Sequence, residues 1–296
     1  MKYMKVSALA NLIFKPHRII ASLQSIRHTY EKHGYDYQEI DGCSYQGLEI
    51  ESKHGYTLKG KWYKKNENQK LIILVHGYAG IAREMELIAP FFLKMGFDVV
   101  TYGVYAYGQK TALVTFGNHE SDDLARIIKG ILKTKKYETY GLYGHSLGAN
   151  TVLKVAGKLK RQPDFIIANA PFNKLEEVLI VHLNTWFGGI IQLGTLQKLA
   201  WEIMQYAGDT WGKDVLLRMT TTAKLSMPVL YLHGDADKLN PPYMSEQLQQ
   251  VTPHATRVLL PGAGHLNTFT KTRVEIEQAI KTFLQTIDII EKEGLK

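Results

Sequence analysis

Thr139-Tyr-Gly-Leu-Tyr143 runs straight into Gly144-His145-Ser146-Leu147-Gly148, and Ala149-Asn-Thr-Val-Leu-Lys-Val-Ala-Gly157 follows. The first piece reads as a short buried strand and the last as a helix. A serine in so sharp a strand-to-helix turn must adopt a strained backbone, and a glycine two residues away on each side removes the clashes. The strain lifts the hydroxyl clear of the sheet, where a base can reach it. The reading is therefore a nucleophile elbow rather than a serine capping an ordinary helix.

Working outward, continuous apolar runs occur at Leu71–Val75, Phe97–Tyr102, Leu142–Tyr143, Phe165–Ala168, Val229–Leu232 and Arg257–Leu260. Helical patterns lie among them at Arg83–Met95, Ser121–Lys135, Leu147–Lys160, Pro242–Val251 and Thr270–Glu291. Strands buried on both faces and alternating with helices predict a parallel twisted sheet with helices on both faces. An antiparallel hairpin, Leu48–Ser52 and Tyr56–Tyr63 around His54-Gly55, precedes it. Between Phe172 and Met227 the alternation stops for a stretch holding Trp186, Trp201 and Trp211, far longer than a crossover needs. It reads as a helical cap inserted after the sixth strand, supplying the substrate pocket. The expected organisation is a basic helical extension at 1–46, an α/β domain at 47–171 and 228–296, and the cap at 172–227.

In open parallel sheets, sites form at the carboxyl ends of strands, and two further loops there carry chemistry. A serine hydroxyl needs a base, and the base needs a third group to hold its tautomer. The last strand ends in Pro261-Gly-Ala-Gly-His265, which places His265 at the sheet's top edge. The penultimate strand ends in His233-Gly-Asp-Ala-Asp237-Lys-Leu-Asn-Pro241. Asp237 is the orienting acid, because its loop leans toward His265; Asp235 is placed to satisfy turn amides. The oxyanion hole falls to the Leu147 amide, at the start of a helix, and to the Tyr78 amide in His76-Gly77-Tyr78-Ala79-Gly80. His76, His145 and His233 read as loop-pinning residues, and His17, His28, His33, His54, His182 and His254 as surface ones. No spacing suits a metal and no glycine-rich loop suits a nucleotide.

These motifs resemble those of the α/β-hydrolase superfamily: His76-Gly-Tyr-Ala-Gly80, Gly144-His-Ser146-Leu-Gly148, His233-Gly-Asp-Ala-Asp237 with Pro241, and Gly262-Ala-Gly-His265. They are most similar to a bacterial serine-hydrolase branch described as serine aminopeptidase S33-like, hydrolase 4 or cell-surface esterase. Lesser matches are Gly47–Tyr63 and Gly117-Asn-His-Glu120 with Asp123. The resemblance implies a cofactor-free serine hydrolase with Ser146 as nucleophile, His265 as base and Asp237 as its orienter. A carboxylesterase of small to medium or lipid-like acyl esters is the leading expectation. A peptidase, thioesterase or acyltransferase, or a binding module without chemistry, are the alternatives. Many relatives follow the Phe97–Tyr102 strand with an acid and Arg-Gly-His-Gly. Here Gly103-Val-Tyr-Ala-Tyr-Gly108 stands instead, which expects Tyr102, Tyr105 and Tyr107 near the pocket wall.

Composition sets the remaining bounds. Of the net charge of +8, residues 1–34 carry five, through Lys2, Lys5, Lys15, Arg18, Arg27 and Lys32 against Glu31. The nearly neutral body argues against nucleic-acid binding. The lone Cys43 fits a reducing, cytoplasmic compartment. Val6–Phe14 is too short to span a bilayer and lacks a small-residue cleavage site. Leu9, Leu12, Ile13, Ile19, Ile20, Leu23, Ile26 and Tyr30 recur at helical spacing. That segment leaves three readings open: a helix packed on the domain, a peripheral contact of residues 1–34 with an anionic membrane, or a cleaved signal.

Overall fold

Runs of β-branched and large apolar residues build the centre of the molecule. In the computed structural model, which describes residues 6–15, 38–65, 67–78, 80–104 and 113–291, they form an eight-stranded sheet ordered β1-β2-β4-β3-β5-β6-β7-β8. Its strands are β1 (Gln46–Glu51), β2 (Thr57–Tyr63), β3 (Lys70–Val75), β4 (Phe97–Tyr102), β5 (Thr139–His145), β6 (Phe165–Asn169), β7 (Val229–Gly234) and β8 (Ala255–Leu260). The hairpin β1–β2 is antiparallel and joins β4 antiparallel; all other pairings are parallel. β3, β5, β6 and β7 are buried at nearly every position, as a sheet covered on both faces requires.

The covering helices are α1 (Val6–Phe14), α2 (Gln38–Asp41), α3 (Ala82–Met85), α4 (Ala89–Lys94), α5 (Asn118–Thr134) and α6 (Leu147–Ala156), followed by α7 (Leu175–Phe187), α8 (Leu193–Trp211), α9 (Tyr243–Val251), α10 (Thr268–Lys271) and α11 (Arg273–Thr286). Two expected helices are divided, each for a local reason. Arg83–Met95 splits into α3 and α4 because Pro90 has no N–H to continue the first helix and sits in the first turn of the second. Thr270–Glu291 breaks at Thr272 (φ −129°, ψ 45°), whose hydroxyl bonds the Thr268 carbonyl, and the second part ends before Asp288 in left-handed conformation. α5 starts three residues before the expected Ser121. There the Glu120 carboxylate turns back to accept the Gly117 and Thr115 amides, at 2.9 and 2.8 Å.

Between β6 and β7, α7 and α8 pack on each other, and α1 packs on α8. Leu9, Ala10, Ile13 and Phe14 of α1 are buried in the same cluster as the sheet's core, whereas Leu12 is exposed. The basic run's remaining apolar positions, Ile19 to Tyr30, lie outside the described residues. Among the described residues no helix is long and apolar enough to cross a membrane.

The middle of the sheet tolerates no added bulk. A Cβ on Gly141 would lie 2.1 Å from Phe165 Cζ, a ring that is itself fully buried. Gly141→Ala is expected to cost about 1–3 kcal/mol by overpacking. The check is a lower midpoint of urea unfolding at unchanged slope.

Candidate active site

Ser146 stands between the last residue of β5 and the first of α6 with φ 54° and ψ −118°, a conformation L-residues avoid. Such backbone strain is worth on the order of 1–3 kcal/mol and must be held from outside. The Ser146 amide donates to the Asn169 carbonyl at 2.8 Å, and the Ser146 carbonyl accepts the Asn150 amide at 3.2 Å. The flanking glycines are there because nothing larger fits. A Cβ at Gly144 would lie 2.2 Å from the Gly148 carbonyl oxygen, and one at Gly148 would lie 2.1 Å from that of Val75.

Three neighbouring loops converge on this turn. His265 Nε2 lies 2.9 Å from Ser146 Oγ, and His265 Nδ1 lies 2.7 Å from Asp237 Oδ2. An ionised carboxylate only accepts, so Nδ1–H donates to Asp237 and Nε2 is left to accept the serine proton. Asp237 Oδ1 accepts the amides of Leu239 and Asn240, both at 2.9 Å, and His233 Nε2 lies 3.3 Å from Oδ2. Burial works to raise the Asp237 carboxyl, but hydrogen bonds from His233 and His265, the His265 charge and the Asn240 amide outweigh it. They hold the group well below the usual carboxylate range. Asp235 instead accepts the Gly262 amide at 2.6 Å, within the turn that carries His265.

The other histidines mostly pin these loops. His76 Nδ1 donates to the Gly77 carbonyl at 2.8 Å while its Nε2 accepts the Val104 amide at 2.8 Å. His145 Nε2 bonds the His265 carbonyl at 2.9 Å, and His233 Nε2 the Asn240 carbonyl at 2.7 Å. Burial pushes the His76 imidazole down to about 4; burial and the nearby His265 push that of His145 down to about 3.

Beside Ser146 opens an apolar pocket. Tyr78 and Leu147, the expected oxyanion residues, line it together with the serine. Gly77 holds the Tyr78 loop tight against the elbow, since a Cβ there would come within 3.2 Å of Ser146 Cβ. Phe116 and Phe172 add aromatic walls, and α7 contributes Val178, Leu179 and Leu183.

Two expectations need correction. His182 is not a surface residue: it projects from α7 into this pocket, its ring hydrogen-bonds the Leu239 backbone, and burial lowers its imidazole to about 4. Its place was hidden because the α7 pattern does not reveal which face meets the sheet edge. Tyr102 is not at the pocket wall either. It is fully buried, influenced chiefly by its desolvation and then by Asp123, Glu120 and Tyr56. Among the described residues its hydroxyl has no partner. Tyr105 and Tyr107 lie outside the described residues.

A mostly parallel sheet with a strained serine at the central strand-to-helix turn, and helices inserted after β6, defines an α/β hydrolase. The chain belongs to the α/β-hydrolase superfamily. Residues 66–207 match the family described as serine aminopeptidase, S33, and residues 199–272 the family described as alpha/beta hydrolase fold. It is similar to the uncharacterized protein YqkD of Bacillus subtilis (strain 168), 26% identical over 260 residues, covering 86% of this chain and 84% of that one. Its fold is shared with the Pyrococcus furiosus esterase Pf2001, at a TM-score of 0.65 and 19% identity, covering 85% of this chain and 96% of that one. A thermophilic esterase from Thermogutta terrifontis shares it at 0.57 and 19%, covering 82% and 99%.

The buried histidines make stability acid-sensitive. Unfolded, their rings take up protons near pH 6.5; folded, His76 and His145 resist until about 4 and about 3. The unfolded chain therefore binds more protons across that interval, and stability falls as pH drops through it. Each ring adds up to about 1.4 kcal/mol per pH unit. Asp237, with its depressed folded pKa, gives stability that is lost further down, as pH falls below the ordinary carboxylate value. Urea unfolding at about pH 7 and about pH 5 is expected to show this loss, and His145→Gln to make it shallower.

Proposed function

We propose that the protein is a serine hydrolase, a carboxylesterase acting on small to medium or lipid-like acyl esters. The observation that carries the reading is the hydrogen-bonded line Ser146 Oγ–His265 Nε2 and His265 Nδ1–Asp237 Oδ2, at 2.9 and 2.7 Å. The two bonds give the imidazole one tautomer and aim its free nitrogen at the hydroxyl.

In this reading Ser146 Oγ attacks the ester carbonyl carbon as its proton passes to His265 Nε2. Asp237 steadies the resulting imidazolium. The tetrahedral oxyanion is met by the amides of Tyr78 and Leu147, the latter at the positive end of α6. Collapse breaks the bond to the alcohol, which leaves with the proton from His265. Water then gives its proton to the same nitrogen, attacks the acyl-enzyme, and releases the acid and Ser146. Esters are favoured over amides because an alkoxide leaves more readily than an amine. α7 and α8 act as a cap, and Val178, Leu179 and Leu183 suit an apolar acyl group. The matched family and the esterase neighbours in fold are consistent with hydrolysis.

A fluorophosphonate probe is expected to label the wild type and not Ser146→Ala. p-Nitrophenyl ester turnover is expected to fall by about 10⁴-fold or more in Ser146→Ala and in His265→Ala, with the double variant hardly worse than either, since the groups act as a unit. Equal labelling of wild type and Ser146→Ala would end the proposal.

A further inference from the structure

The pocket beside Ser146 has one wall that belongs neither to the strand-end loops nor to the insertion after β6: Ile13, from α1. The side chain is 5% exposed, so it is packed into the pocket lining rather than laid across its mouth. We infer that α1 completes the acyl pocket and that the bulk of Ile13 sets the length of apolar acyl chain admitted. The inference rests on the hydrolase reading above for the identity of the ligand, but not for the shape of the pocket.

α1 is fastened at this place by specific bonds. The Tyr78 hydroxyl donates to the Ile13 carbonyl at 2.9 Å, and the Val114 amide donates to the Phe14 carbonyl at 2.8 Å. These carbonyls end a helix and would otherwise lack intrahelical donors. Phe14 sits edge-on to Phe116 and to Trp211 of α8, at centroid distances of 5.8 and 5.6 Å, and Tyr78 stacks on Phe116 at 5.6 Å. The ring cluster thus joins α1, the cap and the Tyr78 loop. Tyr78 links α1 to the chemistry: its side chain holds the helix while its backbone stands beside Ser146.

The lining also indicates the ligand. Ile13, Phe116, Phe172, Val178, Leu179 and Leu183 present hydrocarbon, and no Lys, Arg, Asp or Glu is among the lining residues. A charged acyl group would lose its water there without a counter-charge. An apolar chain gains or loses about tenfold or more in specificity for each methylene that fits or clashes. Replacing Ile13 therefore changes the optimum, and in a direction set by size.

The test uses the full chain and a p-nitrophenyl ester series from acetate to laurate. Ile13→Ala is expected to raise kcat/KM for long relative to short chains by about tenfold, and Ile13→Phe to lower that ratio by about as much. Exposed Leu12, next to it in sequence, serves as control, and Leu12→Ala is expected to keep the wild-type profile. Because Ile13→Ala removes packing from a buried helix, the larger Ile13→Phe keeps the test informative should the smaller variant unfold. In parallel, fatty acids from butyrate to laurate are titrated calorimetrically into Ser146→Ala, with and without each Ile13 change. The same shift in binding preference is expected there. Folded Ile13 variants with the wild-type length profile in both assays would overturn the inference, as would an equal shift from Leu12→Ala. A wild type that cleaves no ester, with the binding shift intact, would sink the hydrolase reading and leave this one standing.

Discussion

The backbone of Ser146 is the constraint around which the rest is arranged. A residue at φ 54° and ψ −118° is held against its own preference, and the surrounding sheet must supply the force. β5 supplies it by position, with β3 on one side and β6 on the other. From β6 comes the Asn169 carbonyl that takes the serine amide; from β3 comes the Val75 carbonyl that leaves room only for glycine at 148. Parallel pairing brings the ends of all these strands to one edge, so one topology both strains the turn and gathers loops around it.

Those loops are joined to one another as well as to the elbow. His145, inside the elbow, takes the His265 carbonyl; His233 takes the Asn240 carbonyl; the Asn240 side chain reaches the Ala170 carbonyl after β6. Burial keeps the His145 ring neutral, which lets it serve as a fixed partner of the His265 carbonyl without adding charge. Asp237 is a strongly stabilised charge, and four donors surround it. A buried carboxylate so fully bonded stays ionised, and an ionised partner is what a protonated imidazole beside a reacting serine requires.

How much of this was legible in the chain depended on how local its causes were. The elbow, the two loops bearing Asp237 and His265, and the alternation of strands and helices are written in short stretches, and the structure brings Ser146, Asp237 and His265 together as those stretches imply. Breaks at Pro90 and Thr272 are also local, but each interrupts an apolar period that continues across it, so period alone runs through them. Glu120 reaching back to Gly117 is a capping signal that lengthens α5, and it was readable as such. His182, Tyr102 and Ile13 are different. Which face of α7 meets the site, which side of β4 Tyr102 occupies and where α1 docks are decided by packing between segments far apart in sequence, and no residue type announces them.

The same reasoning explains why α1 matters more than its position outside the sheet suggests. The Tyr78 loop gives its one large side chain, Tyr78 itself, to the pocket and to α1 at once, while its neighbours Gly77 and Gly80 have no side chain to offer. Ile13 adds to the same lining, and the helix that brings it is tied to the loop by the Tyr78 hydroxyl. Anything that moves α1 must break that bond or move Tyr78, whose amide is a proposed oxyanion donor. In the proposed reading, acyl recognition and carbonyl activation are therefore mechanically connected through Tyr78.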